Sequence, residues 1–476
     1  MTEEIWLKAY PENIEWNQTF DVKPLWAILD DAVRRFPNND VIDFLGKTYT
    51  YAEIGHQVDR AAAGFQRLGV GKGTKVGLFL PNCPQFIISY FGILKAGGTV
   101  VNYSPLYSEQ ELLHQIEDSH TDIMVTLNLK VLYPKMKAML EQSRVKTLII
   151  GNMPEALSFP KNILFPLFKR GDIAIVPNDK QHVAFAQLIN NDGAYTPADI
   201  DPANDIAVLQ YTGGTTGVSK GAMLTHANLY ANTMQGRVWF EGVTDGEERM
   251  MGVLPFFHVF AMTVVMNLSI SIAAKIIMHP RFELEPVLKD LDKKKPTLFP
   301  GVPTMYTAIN NYPKLSDYDL SSLKFCLSGG APLPVEVKQN FESFTGCKLV
   351  EGYGLTETSP IASANPLMGV SKEASIGMPL PGTRIIITDR EDPHKIMPQG
   401  EDGEICVEGP QVMLGYWGRE EATAETIIDG RLHTGDVGYM DEEGYTFIID
   451  RMKDLVLVGG FNVYPRHVEE AIYQHP

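Results

Sequence analysis

The sequence predicts an α/β fold, with two α/β subdomains that each contain a helix-covered, mostly parallel sheet, followed by a small β subdomain. Three observations indicate this class. Strand-like and helix-like segments alternate over roughly the first 150 residues, and a second alternating section follows a Gly/Thr-rich stretch at 211–226. Beyond about Ser375 the pattern changes to short strands separated by Gly, Pro and Asp turns.

The first alternating section consists of βαβ units. Strands are predicted at 76–80, 98–102, 123–127 and 145–150, and helices at 51–68, 84–94 and 108–118. Ser108 and Glu111 have the spacing of a capping box at the start of the last of these helices. Because strands connected through helices run parallel, this section predicts a mostly parallel sheet.

The later sections supply the second sheet and the β subdomain. Strands are predicted at 206–209, 251–254, 274–278, 297–300, 325–328, 348–350, 383–388, 403–408 and 445–449. A helix is predicted near Ala227 with Thr225 as its cap, and another at 335–344. We therefore expect residues 1–205 to form the first α/β subdomain, 206–374 the second, 375–450 the β subdomain and 451–476 the start of a C-terminal domain.

Composition narrows the function classes. The net charge of −17, from 41 Lys and Arg against 58 Asp and Glu, argues against nucleic-acid binding, which needs a basic surface. Cys83, Cys326, Cys347 and Cys406 are scattered without metal-ligand spacing, as is typical of small buried thiols in a reducing compartment. The N-terminus lacks a secretory signal, and the longest apolar run, 264–278, is too short to cross a bilayer. A cytoplasmic protein is expected.

Residues 154–177 interrupt the alternation with four prolines. Aromatic residues such as Phe159 and Phe168 are mixed there with Lys169 and Arg170. One interpretation is a peripheral contact with the inner face of a membrane. We favour the other, in which the aromatic side chains pack on the protein, because proline prevents one long amphipathic helix.

The stretch 211–226, YTGGTTGVSKGAMLTH, contains four glycines, four threonines, one serine and one lysine. Glycines let backbone amides approach an anion, hydroxyls add neutral donors, and Lys220 adds a positive charge. The stretch predicts a phosphate-binding loop, and a Gly/Thr-rich surface loop is the alternative for such a motif in isolation. Its spacing excludes a Walker loop.

Three further clusters offer side chains that suit a nucleotide. In GYGLTET, Glu357 could bind Mg²⁺, a hard cation that prefers carboxylates. In LHTGDVG, Asp436 could accept hydrogen bonds from ribose, and in IIDRMKD, Arg451 could reach phosphate or ribose. His258 lies among phenylalanines in PFFHVF. Taken singly, Glu357 could also be a solvated loop acid, Asp436 a turn aspartate and His258 a packed core histidine.

The order and separation of these clusters resemble the adenylate-forming superfamily of acyl-CoA synthetases, firefly-type luciferases and peptide-synthetase adenylation domains. The resemblance rests on YTGGTTGVSKG, PFFHVF, EGYGLTETSP and LHTGDVGYMDEEGYTFIIDRMKD. Two further stretches, LPNCPQFIISYFGILKAGG at 80–98 and KPTLFPGVPTMY at 295–306, extend it over nearly the whole chain. Within the superfamily, the chain resembles bacterial long-chain fatty-acid–CoA ligases.

The resemblance implies ATP-dependent activation of a fatty acid to acyl-AMP, with Mg²⁺, and transfer of the acyl group to CoA. It implies catalytic roles for Lys220, His258 and Glu357, and Mg²⁺ ligation by Thr212 and Glu357. The implied ATP or AMP contacts are Thr212, Gly213, Gly214, Thr215, Thr216, Gly217, Lys220, Gly330, Ala331, Glu351, Gly352, Tyr353, Thr356, Asp436 and Arg451. The implied acyl contacts are His258, Val259, Phe260 and Gly301, and the implied CoA contacts are Gly459, Gly460 and Phe461.

The sequence departs from the family pattern in three places. Glu351 stands where many relatives have Gln, and Arg431 replaces an aromatic residue of the fatty-acyl signature. The chain stops at Pro476, about 26 residues past a hinge expected at Asp450, and it contains no counterpart of the catalytic lysine that the family carries near its C-terminus. We therefore expect a truncated chain without most of the C-terminal lid domain, which binds ATP and acid but makes little acyl-CoA.

Other functions remain open from the sequence. A member of the same superfamily could act on aryl or medium-chain acids. A non-catalytic nucleotide- or lipid-binding module is the alternative from another class. Family members are often dimers, and the sequence leaves the choice between a monomer and a homodimer open.

Overall fold

The computed structural model describes residues 4–212, 219–452, 456–458 and 461–463; for the last two ranges and for residues 166 and 167 it describes the backbone alone. Within these ranges, two large and mostly parallel sheets carry helices, and a smaller antiparallel sheet follows. The predicted α/β class is confirmed.

Strands are distributed along the whole described chain. In chain order they are β1 (Asp40–Phe44), β2 (Lys47–Thr50), β3 (Lys75–Leu78), β4 (Thr99–Asn102), β5 (Thr121–Leu127), β6 (Thr147–Gly151), β7 (His182–Ala184), β8 (Ile206–Thr212), β9 (Lys220–Thr225), β10 (Arg249–Gly252), β11 (Lys275–Met278), β12 (Leu298–Gly301), β13 (Phe325–Ser328), β14 (Lys348–Gly354), β15 (Ile361–Ala364), β16 (Met378–Pro379), β17 (Arg384–Thr388), β18 (Gly403–Glu408), β19 (Ile427–Ile428), β20 (Arg431–Met440), β21 (Thr446–Arg451), β22 (Val456–Val458) and β23 (Phe461–Val463).

The helices alternate with these strands. They are α1 (Ala27–Arg35), α2 (Tyr51–Arg67), α3 (Pro84–Lys95), α4 (Glu109–Ser119), α5 (Tyr133–Gln142), α6 (Lys161–Phe168), α7 (Phe185–Leu188), α8 (His226–Trp239), α9 (Leu268–Ser271), α10 (Leu284–Lys294), α11 (Pro303–Asn310), α12 (Val335–Thr345) and α13 (Glu420–Thr426). A π-helix at Ala261–Asn267 precedes α9. No helix among the described residues has both the length and the apolar character needed to cross a bilayer.

Local sequence sets several helix starts. The predicted capping box is present at α4, where the Ser108 side chain accepts from the Glu111 backbone and the Glu111 carboxylate accepts from the Ser108 backbone. Thr225 caps α8 as predicted, and the side chain of Asn228 completes a reciprocal pair. Each pair satisfies backbone N–H groups that have no partner inside the helix.

The first sheet has the strand order β7-β6-β5-β3-β4-β8-β9, and the second has β16-β15-β14-β13-β12-β10-β11-β1-β2. Neighbouring strands in the middle of both sheets run parallel. The third sheet is the antiparallel β17-β18-β20-β19, with β21 paired to β20. Short strands β22 and β23 form a separate hairpin.

Sheet membership crosses the predicted boundary at 205/206. Strands β1 and β2 belong to the second sheet, although they lie in the range assigned to the first subdomain. Strands β8 and β9 belong to the first sheet, although they lie in the range assigned to the second. The reason is pairing over long sequence separations, since β1 lies beside β11 and β4 lies beside β8. The subdomain boundaries themselves stay a prediction.

The segment 154–177 differs from the favoured expectation. Phe159 and Phe168 expose 78% and 81% of their surface, so the prediction that the aromatic side chains pack on the protein is wrong for them. Phe165 does pack, partly buried, against the core. The helix α6 is short and lies on the surface, so only one of its sides can be covered by the protein.

A buried histidine at the start of α8 makes the fold sensitive to acid. His226 is 1% exposed, its Nδ1 accepts a hydrogen bond from the Leu25 backbone at 3.2 Å, and its ring meets that of Trp26 edge to face. Burial lowers the pKa of His226 from 6.5 to about 4. The folded state therefore resists protonation that the unfolded chain accepts.

We expect this histidine to destabilise the protein as the pH falls from about 6.5 through about 4, because only the unfolded state then binds the proton. The loss should approach about 3 kcal/mol of unfolding free energy. His226→Gln should remove most of that pH dependence in urea unfolding measured between pH 7 and pH 4, while His56→Gln, at an exposed position, should not. Parallel curves for wild type and His226→Gln would contradict the assignment.

Candidate active site

A cavity of about 710 Å³ opens beyond the carboxyl ends of β13 and β14, where the second sheet faces the third. Ligands of open α/β sheets commonly bind beyond the carboxyl ends of parallel strands. The sequence-predicted site residues that line it are Thr212, Lys220, His258, Val259, Phe260, Gly330, Gly352, Tyr353, Thr356, Glu357 and Arg451. Residues more than 200 positions apart therefore share one wall.

Strand register explains part of this convergence. Gly301, Ser328 and Glu351 are register partners across β12, β13 and β14, so the ends of β12 and β13 lie beside the part of β14 that leads into the cavity residues Gly352 and Tyr353. Thr212 and Lys220 are register partners at the ends of β8 and β9. The first sheet therefore places Lys220 and the Thr212 hydroxyl at the cavity, and the second sheet forms another of its walls.

Glu357 is held by a residue that the sequence analysis did not select. The Tyr416 hydroxyl donates a hydrogen bond to Glu357 Oε1 at 2.6 Å, and Lys220 Nζ lies 4.9 Å from the centre of the Tyr416 ring. Burial, and then the nearby carboxylate, raise the pKa of Tyr416 above its ordinary value, so the phenol keeps its proton at neutral pH. Tyr416 therefore contacts both an acid and a base of the predicted site.

Asp436 forms a second polar centre just behind the wall. Its side chain is 5% exposed; Oδ2 accepts from the Tyr353 hydroxyl at 2.5 Å and Oδ1 from Arg451 Nε at 2.9 Å. Burial, followed by the Asp436 charge, raises the pKa of Tyr353 well above its ordinary value. Because the side chain is buried, contact between Asp436 and a ribose would require displacement of one of these two partners.

His258 follows β10 and faces the cavity. The Phe260 backbone N–H donates to His258 Nδ1 at 3.3 Å, which leaves Nε2 to carry the proton of the neutral ring. The side chain is accessible from the cavity, yet the surrounding protein desolvates it enough to lower its pKa. A neutral imidazole is therefore the resting form at pH 7.

Other predicted residues lie elsewhere. Ala331 is exposed beside the cavity residue Gly330, Glu351 lies on β14, and Gly301 ends β12 packed against the Tyr306 ring. The following predicted residues lie outside the described ranges: Gly213, Gly214, Thr215, Thr216, Gly217, Gly459 and Gly460. Phe461 is described by its backbone in β23 alone.

The sequence analysis missed most of what the third sheet contributes. Glu404, His433, Thr434 and Gly435 line the cavity together with Tyr416. His433, Thr434 and Gly435 stand directly before Asp436 in LHTGDVG, so the alternation of that strand was a usable signal for His433. Tyr416 carries no such local signal, because its partner Glu357 lies 59 positions away, in the short 3-10 helix Thr356–Thr358.

The residues present fit a hard divalent cation. Glu357 contributes a carboxylate and Thr212 a hydroxyl, both on the cavity wall, and oxygen donors suit Mg²⁺. The hydrogen bond from Tyr416 fixes one carboxylate oxygen, as residues outside the ligand shell commonly do. Glu357 and Thr212 could hold Mg²⁺ beside bound phosphates.

The fold and the site define a class, the adenylate-forming enzymes. Two helix-covered sheets and a small antiparallel sheet enclose a cavity that carries Lys220, Glu357 and Arg451. The chain belongs to the AMP-binding enzyme family, whose model matches residues 29–417.

Known proteins agree with this assignment. The chain is 48% identical over 99% of its length to the long-chain-fatty-acid–CoA ligase of Bacillus subtilis (strain 168), of which it covers 84%. It is 37% identical, again over 99% of its length, to the enzyme of the same name from Escherichia coli O6:H1, of which it covers 85%. Among solved structures, ATP-bound MatB from Rhodopseudomonas palustris superimposes with a TM-score of 0.83 at 29% identity, covering 95% of this chain and 83% of that one.

Tyr416→Phe tests whether the Tyr416 hydroxyl orients Glu357. The substitution removes the hydroxyl and keeps the ring beside Lys220. We expect the Mg²⁺ concentration needed for half-maximal ATP binding to rise about tenfold or more, as for other residues that orient a metal ligand. The measurement is a Mg²⁺ titration of ATP binding by calorimetry. Tyr10→Phe is the control, because it removes a hydroxyl bonded to Pro379 O at a residue that does not line the cavity. An unchanged Mg²⁺ requirement would show that Tyr416 does not position Glu357.

Proposed function

We propose that this protein activates a long-chain fatty acid with ATP and transfers the acyl group to CoA. The proposal rests on one observation, which is that the lining of the site changes from charged residues to apolar residues. The cavity that carries the charged residues adjoins an apolar gap of about 10 Å³, which shares Leu327 and Ile361 with it. The remaining lining of the gap is Gly236, Trp239, Phe240, Val350, Ala364, Leu367 and Leu380. An acid with a polar head and an apolar chain suits both parts.

The gap is far smaller than a fatty chain, so the chain must displace side chains to enter it. At one point of the wall Gly236 of α8, which has no side chain, lies opposite Ile361 of β15. Each methylene that leaves water contributes about 0.8 kcal/mol, which can offset such rearrangement. The relatives named as long-chain ligases support this choice of substrate over aryl or medium-chain acids.

The proposed chemistry assigns mainly electrostatic work to the chain. In the first step a carboxylate oxygen of the acid forms a bond to the α-phosphorus of ATP, and the bond to the pyrophosphate oxygen breaks. Lys220 would offset the negative charge that accumulates, and Mg²⁺ held by Glu357 and Thr212 would neutralise phosphate oxygens when bound. Neutral His258 would orient the carboxylate without repelling or trapping it as an ion pair.

In the second step the CoA sulfur attacks the acyl carbon of acyl-AMP, AMP leaves and the thiol proton passes to solvent. The residues proposed for the CoA path, Gly459, Gly460 and Phe461, stay a prediction, as do the nucleotide-loop residues 213–217. The expected catalytic weakness of this chain also stays a prediction, and the choice between a monomer and a homodimer stays open.

The proposal is tested with non-hydrolysable acyl-AMP mimics, since their binding does not require turnover. We expect the palmitoyl sulfamoyl-adenosine conjugate to bind at least about tenfold more tightly than adenosine sulfamate, because the acyl chain is buried. Gly236→Val should remove much of that gain and leave adenosine sulfamate binding unchanged, because its methyl groups enter the apolar gap.

The matched control is Gly71→Val, at a position where an added Cβ meets nothing within 4 Å. Carboxylate-dependent exchange of pyrophosphate into ATP, with octanoate, palmitate, oleate and benzoate, then measures the first chemical step. Preference for the benzoyl or octanoyl conjugate would indicate the aryl or medium-chain alternative. If the protein binds nucleotide but shows neither tighter binding of the acyl conjugates nor pyrophosphate exchange, the ligase proposal is wrong and a binding module is favoured.

We further propose that the segment 154–177 contacts the membrane from which the fatty acid is taken. Phe159, Ile163, Phe168 and Ile175 are exposed there, and Lys169 and Arg170 follow Phe168 directly. Apolar side chains beside cations suit the headgroup region of an anionic bilayer.

Replacing Phe159 and Phe168 by serine together should lower the fraction of protein that sediments with phosphatidylglycerol vesicles, because each aromatic ring supplies about 2 kcal/mol when buried. Leu106→Ser is the control, since Leu106 is 87% exposed and lies outside this segment of the chain. Equal sedimentation of the double variant and the control would exclude this segment as the contact.

A further inference from the structure

A cluster of three different metal-binding side chains lies on the third sheet. Glu404 and Cys406 are two residues apart on β18 and so face the same side, and Cys406 is the register partner of His433 on β20. One ligand atom from each side chain lies within 4.8 Å of the other two. Among the residues that the structure describes, this is the group of His, Cys, Asp and Glu that meets that criterion.

The three side chains already contact one another. His433 Nδ1 lies 2.7 Å from Glu404 Oε2 and 3.4 Å from Cys406 Sγ. Glu404 Oε1 accepts from the Gly435 backbone N–H at 2.9 Å, so Oε2 is the oxygen left to face the histidine. An imidazole, a carboxylate and a thiol thus converge on one point from fixed strands.

A second observation is an unsatisfied atom. The His433 side chain is 6% exposed, and its Nε2 is buried without a hydrogen-bond partner among the described residues. Buried ring nitrogens are normally hydrogen-bonded, so this exception needs an explanation. Because only the Nδ1 edge of the imidazole is hydrogen-bonded, the ring can rotate to present either nitrogen to Glu404 and Cys406.

The cluster is accessible from the active-site cavity. Glu404 and His433 both line that cavity, whereas Cys406 lies fully buried behind them. A small ion could therefore enter from the cavity side, and cavity water could supply a further ligand. Three protein ligands with one open position are a common arrangement for zinc.

We propose that Glu404, Cys406 and His433 form a binding site for a borderline-soft divalent cation, with Zn²⁺ as the ion that suits this donor set best. Thiolate and imidazole favour Zn²⁺ over Mg²⁺, which prefers oxygen donors. This site is separate from the Mg²⁺ position proposed at Glu357, and it goes beyond the proposed ligase function.

Binding has a defined proton balance. The cation bonds to the carboxylate oxygen, to a neutral imidazole nitrogen and to the sulfur, and the thiol proton of Cys406 is released to solvent. Burial raises the pKa of the Cys406 thiol to about 12, so the ion must compete with a tightly held proton. Affinity is therefore expected to increase with pH.

Occupation of the site would act on the irregular part of β20 that precedes Asp436, where its register with β18 shifts. Glu404 already holds the Gly435 N–H, and a metal bond from His433 would add a second connection between this part of β20 and β18. The neighbouring Asp436 holds Tyr353 and Arg451 on the cavity wall. The cation would thus stiffen one wall of the cavity without contacting its phosphate-facing side chains.

The test is a Co²⁺ titration of the chelator-treated, reduced protein, because Co²⁺ bound to a thiolate shows a sulfur-to-metal charge-transfer band. We expect the band to saturate at one ion per chain, to strengthen with pH, and to be displaced by Zn²⁺ but not by Mg²⁺. Cys406→Ala should abolish the band, and His433→Asn should weaken binding about tenfold or more. No nucleotide or fatty acid is present, so the outcome is independent of the proposed ligase activity.

The chain provides its own control in another cysteine pair. Cys326 and Cys347 are buried with their sulfurs 3.6 Å apart, and they could bind a soft cation instead. Cys326→Ala should leave the Co²⁺ band unchanged. A band that survives Cys406→Ala or disappears in Cys326→Ala, or no band in the wild type, would overturn the proposal. Circular dichroism establishes that each variant is folded, and Glu404→Gln provides a third variant if Cys406→Ala is not.

Discussion

The arrangement of the active site depends on one short segment, residues 413–417, which pairs with two other parts of the chain. The Met413 N–H donates to the Glu357 carbonyl at 2.8 Å, and Trp417 N–H donates to the Gly221 carbonyl at 2.8 Å. Between them, Gly415 and Met223 are joined by a hydrogen bond of 2.9 Å from the Met223 N–H. The segment therefore connects β9 of the first sheet to the turn that carries Glu357, and Tyr416 is placed between them.

The same region is fixed from the opposite side by Asp118, at the end of α4. Its carboxylate accepts from the Tyr211 hydroxyl and from Arg419, both at 2.6 Å, and its backbone carbonyl accepts from the Trp417 indole at 3.1 Å. Asp118 is mostly buried, which makes charge-assisted hydrogen bonds of this kind stronger than they are in water. The position of Lys220 depends on this arrangement. Its strand, β9, is hydrogen-bonded to the same segment that holds Glu357.

Local features of the fold could be read from the sequence, and long-range pairing could not. The cap at Ser108 depends on residues three positions apart, and the predicted strands depend on apolar runs, so both were confirmed. The pairing of β1 with β11 joins residues more than 200 positions apart, and no local pattern encodes it. Tyr416 was missed for the same physical reason, since its importance comes from Glu357 and Lys220, which reach it only through the assembled sheets.

At the proposed nucleotide site, the present hydrogen-bond partners of Asp436 compete with a ribose for its carboxylate. Each carboxylate oxygen accepts one hydrogen bond, from the Tyr353 hydroxyl or from Arg451, and the side chain is almost fully buried. Because burial leaves little room for a third donor, a ribose hydroxyl that bonds to Asp436 would have to displace one of these partners, and a displaced charge costs more than a displaced neutral group. Tyr353 is therefore the easier partner to replace, and Arg451 the one that stays. Because coupling between binding events is reciprocal, whatever holds Arg451 against Asp436 also influences nucleotide affinity.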